Sequence, residues 1–182
     1  MIRTAWMAPL LFLGLVQVAW AQNDRIRFQD SSKQDARCDI IDMTWKKVSY
    51  YLIVGGTQVR QDRSTRDIRE IVIGDNSKQF DFKSAENLMN NGRYSDAVAK
   101  FEKARKNSRC GRALRQTARM YILLCYYYEG RYDDAVRAAE DFRRENADTY
   151  FLAETYRLQY DSYKAKSPPD LRQMARTAQE FS

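Results

Sequence analysis

The chain has no histidine, which removes imidazole acid–base chemistry and histidine ligation of metals. Its three cysteines, Cys38, Cys110 and Cys125, fall at spacings that form no metal motif. No nucleophile–base pair or phosphate loop is legible, and most acids fall at predicted helix starts, where capping accounts for them. The expectation is a non-enzymatic protein with neither cofactor nor metal. What remains for chemistry is cations and aromatics. Lys100, Lys103, Arg105, Lys106, Arg109, Arg112, Arg115 and Arg119 surround the lone acid Glu102. Lys103, Lys106 and Arg109 can share one helix face, and Arg112, Arg115 and Arg119 another. Such a patch suits anionic lipid headgroups, an acidic polymer or an acidic partner, although a solvated helix face is the commoner explanation. The Arg60, Arg63, Arg66, Arg69 series crosses an expected loop. Tyr126-Tyr127-Tyr128 would point in three directions on a helix, which favours core packing over ring stacking on a ligand.

The compartment limits the partner. Arg3 precedes an apolar run, Ala8 to Val18, and Ala19-Trp20-Ala21 offers the small-x-small pattern of a signal peptidase site before Gln22. The run is shorter than the roughly 20 residues of a spanning helix, so residues 1–21 are read as a cleaved signal, with an N-terminal membrane anchor as the alternative. Export to the periplasm or beyond makes nucleic acid an unsuitable target for the positive charge, +7 over the whole chain. In an oxidising compartment Cys38 and Cys110 could pair and tie two parts of the chain together. An odd count leaves at least one thiol unpaired, and Cys125, inside a helix, reads as a buried apolar residue.

The elements that must position these groups divide at about residue 77. Residues 22–37 are polar and read as a flexible lead-in, partly strand. Residues 38–76 read as a small antiparallel β module. Within it Val48, Tyr50, Leu52 and Val54 alternate with Ser49, Tyr51 and Ile53, and Gly55-Gly56 marks a tight hairpin into Thr57–Gln61. Ile68–Ile73 is a further strand, and Asp39–Met43 a short earlier one. So small a sheet needs a neighbour over its apolar face. From Phe80 the apolar period becomes helical, over Phe80–Asn91, Ser95–Asn107, Arg112–Glu129, Asp133–Glu145, Thr149–Lys166 and Pro169–Phe181. The fold class is α+β, mainly α, with three helical hairpins across 78–182.

The array carries an internal repeat. Gly92-Arg93-Tyr94-Ser95-Asp96-Ala97-Val98 recurs 38 residues later as Gly130-Arg131-Tyr132-Asp133-Asp134-Ala135-Val136. The glycines suit a left-handed helix end, Ser95 and Asp133 suit caps, and Ala97 and Ala135 suit a close helix crossing. These residues resemble the tetratricopeptide repeat family. Its Gly-x-Tyr-x-x-Ala-x-x-x-Phe-x-x-Ala core is complete as Gly92, Tyr94, Ala97, Phe101 and Ala104. The second copy keeps Gly130, Tyr132 and Ala135 but has Ala139 where Phe is usual. The offset exceeds the family's roughly 34 residues, and the closing Pro is absent. The third pair is degenerate, with Leu171, Met174, Ala175, Ala178 and Phe181 as its last stripe.

The resemblance implies an α-solenoid whose first helices line a concave groove. Its positions here are Gln79, Phe82, Glu86, Met89 and Asn90, then Thr117, Met120, Leu124, Tyr127 and Tyr128. Such a groove implies a protein partner, a peptide or helix, held by a non-enzymatic adaptor in the bacterial envelope. The competing expectation is that these residues contact the β module or the last helix. Attachment through the basic patch and a structural role in an envelope assembly are the alternative functions. The sequence leaves the oligomeric state open.

Overall fold

A computed structural model describes residues 24–74 and 78–182. The proposed signal segment lies outside them. Five strands come first: β1 (Asp24–Phe28), β2 (Ala36–Met43), β3 (Lys47–Val54), β4 (Thr57–Ser64) and β5 (Ile68–Val72). They form one antiparallel sheet in the order β4-β3-β2-β1-β5. Six helices follow: α1 (Phe80–Asn90), α2 (Tyr94–Lys106), α3 (Arg112–Tyr128), α4 (Tyr132–Glu145), α5 (Leu152–Ala165) and α6 (Leu171–Phe181). The chain is therefore α+β, with a sheet preceding helices.

The β3–β4 hairpin turns at Gly55 and Gly56, whose φ angles of 57° and 81° are the left-handed values that sequence signal requires. β2 hands its pairing from one neighbour to the other. Ala36 to Cys38 pair with β1, whereas Asp39 to Met43 pair with β3 across a bulge between Ile40 and Asp42.

Residues 22–37, expected as a flexible lead-in that is partly strand, hold β1 and the start of β2 instead of a free segment. Asp24–Phe28 is an internal strand between β2 and β5, and Ile26 is fully buried. The Asp24 carboxylate, also buried, accepts hydrogen bonds from Ile40 N at 2.9 Å and Gly74 N at 2.8 Å. A five-residue strand with two large apolar residues gives too short an alternation to be read locally; pairing on both edges holds it.

Consecutive helices pack against one another, and α3 also touches α5 and β2. One apolar cluster joins sheet and helices, running from Ile26, Met43, Val48 and Tyr50 to Phe82, Phe101, Leu114 and Ile122. Phe82, Phe101 and Tyr121 form a ring triad with centroids 5.3 to 5.9 Å apart. A second cluster, including Met120, Leu123, Ala135, Ala139, Phe142 and Leu158, seats α5 on α3 and α4.

The repeat glycines end α1 and α3 as expected, at φ 73° for Gly92 and 76° for Gly130. The expected caps are corrected: Arg93 and Arg131 occupy the cap positions and make no side-chain cap bond. Ser95 instead donates to Glu129 Oε1 at 2.6 Å, and Asp133 pairs with Lys166. Cys38 and Cys110, whose pairing the sequence left open, are not joined, all three cysteines being buried free thiols.

The sheet and the helices are clasped by polar groups around Gln116, which is 1% exposed. Its amide nitrogen donates to Met43 O at 3.1 Å and to Thr149 Oγ1 at 3.0 Å, while its oxygen accepts from Arg112 Nε at 3.2 Å. Arg112 also pairs with Asp42 at 3.0 Å and Asp148 at 2.6 Å, and Trp45 N donates to Asp148 O at 2.9 Å.

A candidate binding cleft between the edge strand and the helices

The residues assigned to a concave groove do not share one surface. Phe82, Glu86 and Thr117 line a cleft of about 340 Å³ on the free side of β5. Met120, Leu124 and Tyr127 instead belong to the cluster that seats α5. Met120 is 3% exposed and presents no free surface, while Phe82 is fully buried and borders the cleft behind its more exposed lining residues. Met89 packs on the first cluster, and Asn90 is exposed at the end of α1. Tyr128 is exposed and stacks with Tyr94 and Tyr127 at 5.9 and 5.8 Å. Gln79, at the N-cap of α1, accepts from Asn107 Nδ2 at 2.5 Å.

The reason is helical phase. One residue is about 100° of rotation on a helix. A groove carried by Met120 rather than Tyr121 therefore faces α5 and not the cleft. Tyr121 lines the cleft with Tyr150, Phe151 and Lys78, and the expected set missed all four. Tyr121 lies four residues after Thr117, as Glu86 does after Phe82, a spacing that marks one helix face.

The β module supplies the opposite wall. Glu70, Ile71, Val72 and Ile73 are consecutive, and all four line the cleft. Alternate residues of a strand point to opposite faces, so Glu70, Ile71 and Val72 in a row, with Ile73 just past the end of β5, line a wall formed by the strand's edge. Among the described residues β5 is the end strand of the sheet and pairs only with β1, the position at which a sheet can accept a further strand.

The cleft mixes apolar side chains with the charged and hydroxyl groups of Glu70, Lys78, Glu86, Thr117, Tyr121 and Tyr150. Lys78 Nζ sits 2.8 Å from Glu86, and both side chains are largely buried, at 14% and 19% exposed. Burial, and secondarily the Glu86 charge, raises the Tyr121 hydroxyl above its ordinary pKa; burial and then Glu70 do the same for Tyr150. Both phenols therefore stay neutral donors at physiological pH.

The basic patch is divided as well. Arg112 is spent on Asp42 and Asp148, Arg119 pairs with Glu145, and Lys106 lies 3.8 Å from Glu102. Lys103, Arg109 and Arg115 have no ion pair among the described residues. The acids Asp42, Glu145 and Asp148 reach these cations only through the fold, so the six do not form one uncompensated cationic face. The described residues contain no group of three or more His, Cys, Asp or Glu side chains able to hold a metal, and no helix long and apolar enough to cross a membrane.

No protein-family model, curated protein or solved structure matches this chain. The class that the fold defines is thus an α+β chain with an antiparallel sheet clasped to a helical array. The site it offers is the cleft between β5, α1, α3 and the segment that carries Tyr150 and Phe151.

Proposed function

We propose that this is a non-enzymatic adaptor of the bacterial envelope, exported by its N-terminal signal, which binds an extended segment of another protein. The segment adds as a sixth strand along β5 and places apolar side chains in the cleft against Tyr121, Tyr150 and Phe151. Main-chain hydrogen bonds would supply affinity, and pockets for alternate side chains selectivity. The observation that carries this reading is the wall made by the four consecutive residues Glu70 to Ile73. The helix pairs are read as a tetratricopeptide-like stack serving as the rigid support, on the strength of the repeated Gly-Arg-Tyr motif and the small residues Ala97 and Ala135, both fully buried at helix crossings.

The test is selection from a phage-displayed library of random nine-residue peptides. Selected peptides should alternate apolar and polar residues. They should lose at least tenfold in affinity for Val72→Asp, a change at a position 37% exposed, with the circular dichroism spectrum unchanged. Failure to select any peptide, or equal binding by the folded variant, refutes the reading.

A further inference from the structure

Two residues along a helix are about 200° of rotation. Arg115 and Arg119 therefore lie on the face of α3 opposite to Thr117 and Tyr121, which line the β5 cleft. That opposite face borders a second cavity, of about 410 Å³, closed by Arg105 of α2 and Glu145 at the end of α4. Four arginines line it, Arg105, Arg112, Arg115 and Arg119, against the single acid Glu145. The remaining lining residues, Gln116 and Asn146, are uncharged. Lys103, Lys106 and Arg109 do not line it, so the cavity gathers a concave subset of the basic run.

Four guanidinium groups around one cavity repel one another, and partial burial strengthens the repulsion. Carboxylates hold three of them in place. Arg105 pairs with Glu102 at 2.7 Å, Arg112 bridges Asp42 and Asp148, and Arg119 pairs with Glu145, its own side chain being 14% exposed. Glu102, Asp42 and Asp148 do not line the cavity. Inside it Glu145 is matched by Arg119, which leaves Arg115. The Arg115 guanidinium has no hydrogen-bond or ion-pair partner among the described residues. Arg105 keeps Nη1, and Arg119 keeps Nε and Nη1, without a hydrogen bond to the described residues. The first turn of α3, which carries Arg112 and Arg115, holds no acid, so the positive end of the helix dipole adds to their charge.

These donors match a phosphate group. A phosphate monoester carries close to two charges at neutral pH, its second pKa being about 6. Its three free oxygens can accept from Arg105, Arg115 and Arg119 together, whereas a carboxylate has one charge and two oxygens. Guanidinium planes also suit bidentate pairing with phosphate. The cavity is within the size range of small-molecule sites, about 300–1,000 Å³, which leaves room for the group that carries the phosphate.

We propose that this cavity binds a phosphate monoester, with Arg105, Arg115 and Arg119 on the phosphate oxygens and Arg112 adding positive charge. The cavity shares no residue with the β5 cleft, so the assignment stands apart from peptide binding there.

Titration calorimetry of the whole chain with glycerol phosphate at low salt should give one site with a Kd of about 1 mM or tighter. Arg115→Gln should weaken binding about tenfold or more and leave the circular dichroism spectrum unchanged, since Arg115 has no partner in the fold to lose. Arg109→Gln removes the same charge outside the cavity and should change the Kd by less than about twofold. Vesicles of phosphatidylcholine with and without phosphatidic acid form a parallel arm. Arg115-dependent binding of glycerol phosphate alone places the ester in solution, and the same dependence with phosphatidic acid vesicles places it on a lipid; either result upholds the site. Binding of neither probe, an Arg115→Gln chain that binds as the parent does, an equal loss in Arg109→Gln, or glycerate bound as tightly as glycerol phosphate overturns the proposal.

Discussion

Replacing Gln116 by Leu tests whether the sheet and the helices are one cooperative body. The substitution roughly keeps the side-chain volume, so it opens no large cavity. It removes the donations to Met43 O and Thr149 Oγ1 and the acceptance from Arg112 Nε. Each hydrogen bond contributes about 1 kcal/mol, and a buried group left without its partner costs about 1–3 kcal/mol. Burying the leucine carbons returns about 1–2 kcal/mol. The net loss is about 2–5 kcal/mol. With a urea slope of about 2 kcal/mol per molar for a chain of this size, the unfolding midpoint should fall by at least about 1 M, in a single transition followed by circular dichroism. An unshifted midpoint would refute the argument, because it would mean that the clasp exchanges for water at no cost. A new early transition would refute it differently, showing that the sheet separates before the helices melt.

Further expectations follow from burial, backbone and ionisation. Phe101→Ala empties the centre of the Phe82–Tyr121 triad and should cost about 3–5 kcal/mol, read as a loss of helical signal at room temperature or a large fall in urea midpoint. Gly130→Ala, at φ 76°, should cost about 1 kcal/mol by forcing a side chain into the left-handed region. Burial pushes the Cys38 and Cys125 thiols up to about 12. Both should resist alkylation at pH 8 in the native chain, and all three cysteines should react in urea without reductant. The unfolded chain releases these protons near pH 9 and the folded chain only near 12. Stability should therefore be level below pH 9 and decline from there towards pH 12, as measured by urea midpoints across that range.

Much of the architecture is carried by local pattern. The Gly55-Gly56 hairpin, the helical period from Phe80 and the Gly-Arg-Tyr repeat are each set by neighbours within a few residues, where φ preference and amphipathic spacing act. The six helices accordingly lie within a few residues of their expected bounds. β1 was legible only as an unplaced partial strand, because Asp24–Phe28 is fixed by partners on both sides: Asp24, Arg25 and Ile26 pair with Cys38, Arg37 and Ala36, and its other edge pairs with β5.

The site lies on the other side of the same divide. The sequence by itself determined which residues are apolar, which helices they ride on and where glycine must turn the chain. Tertiary structure decided which of those faces stays open. A repeat motif is made of packing residues and does not fix helical phase to within one position, so Met120 and Tyr121 could exchange roles until α5 covered one of them. Arg112 looked like one cation of a patch because its carboxylate partners, Asp42 and Asp148, stand 70 and 36 residues away along the chain. Coulomb attraction acts through distance in space, which the order of residues does not record.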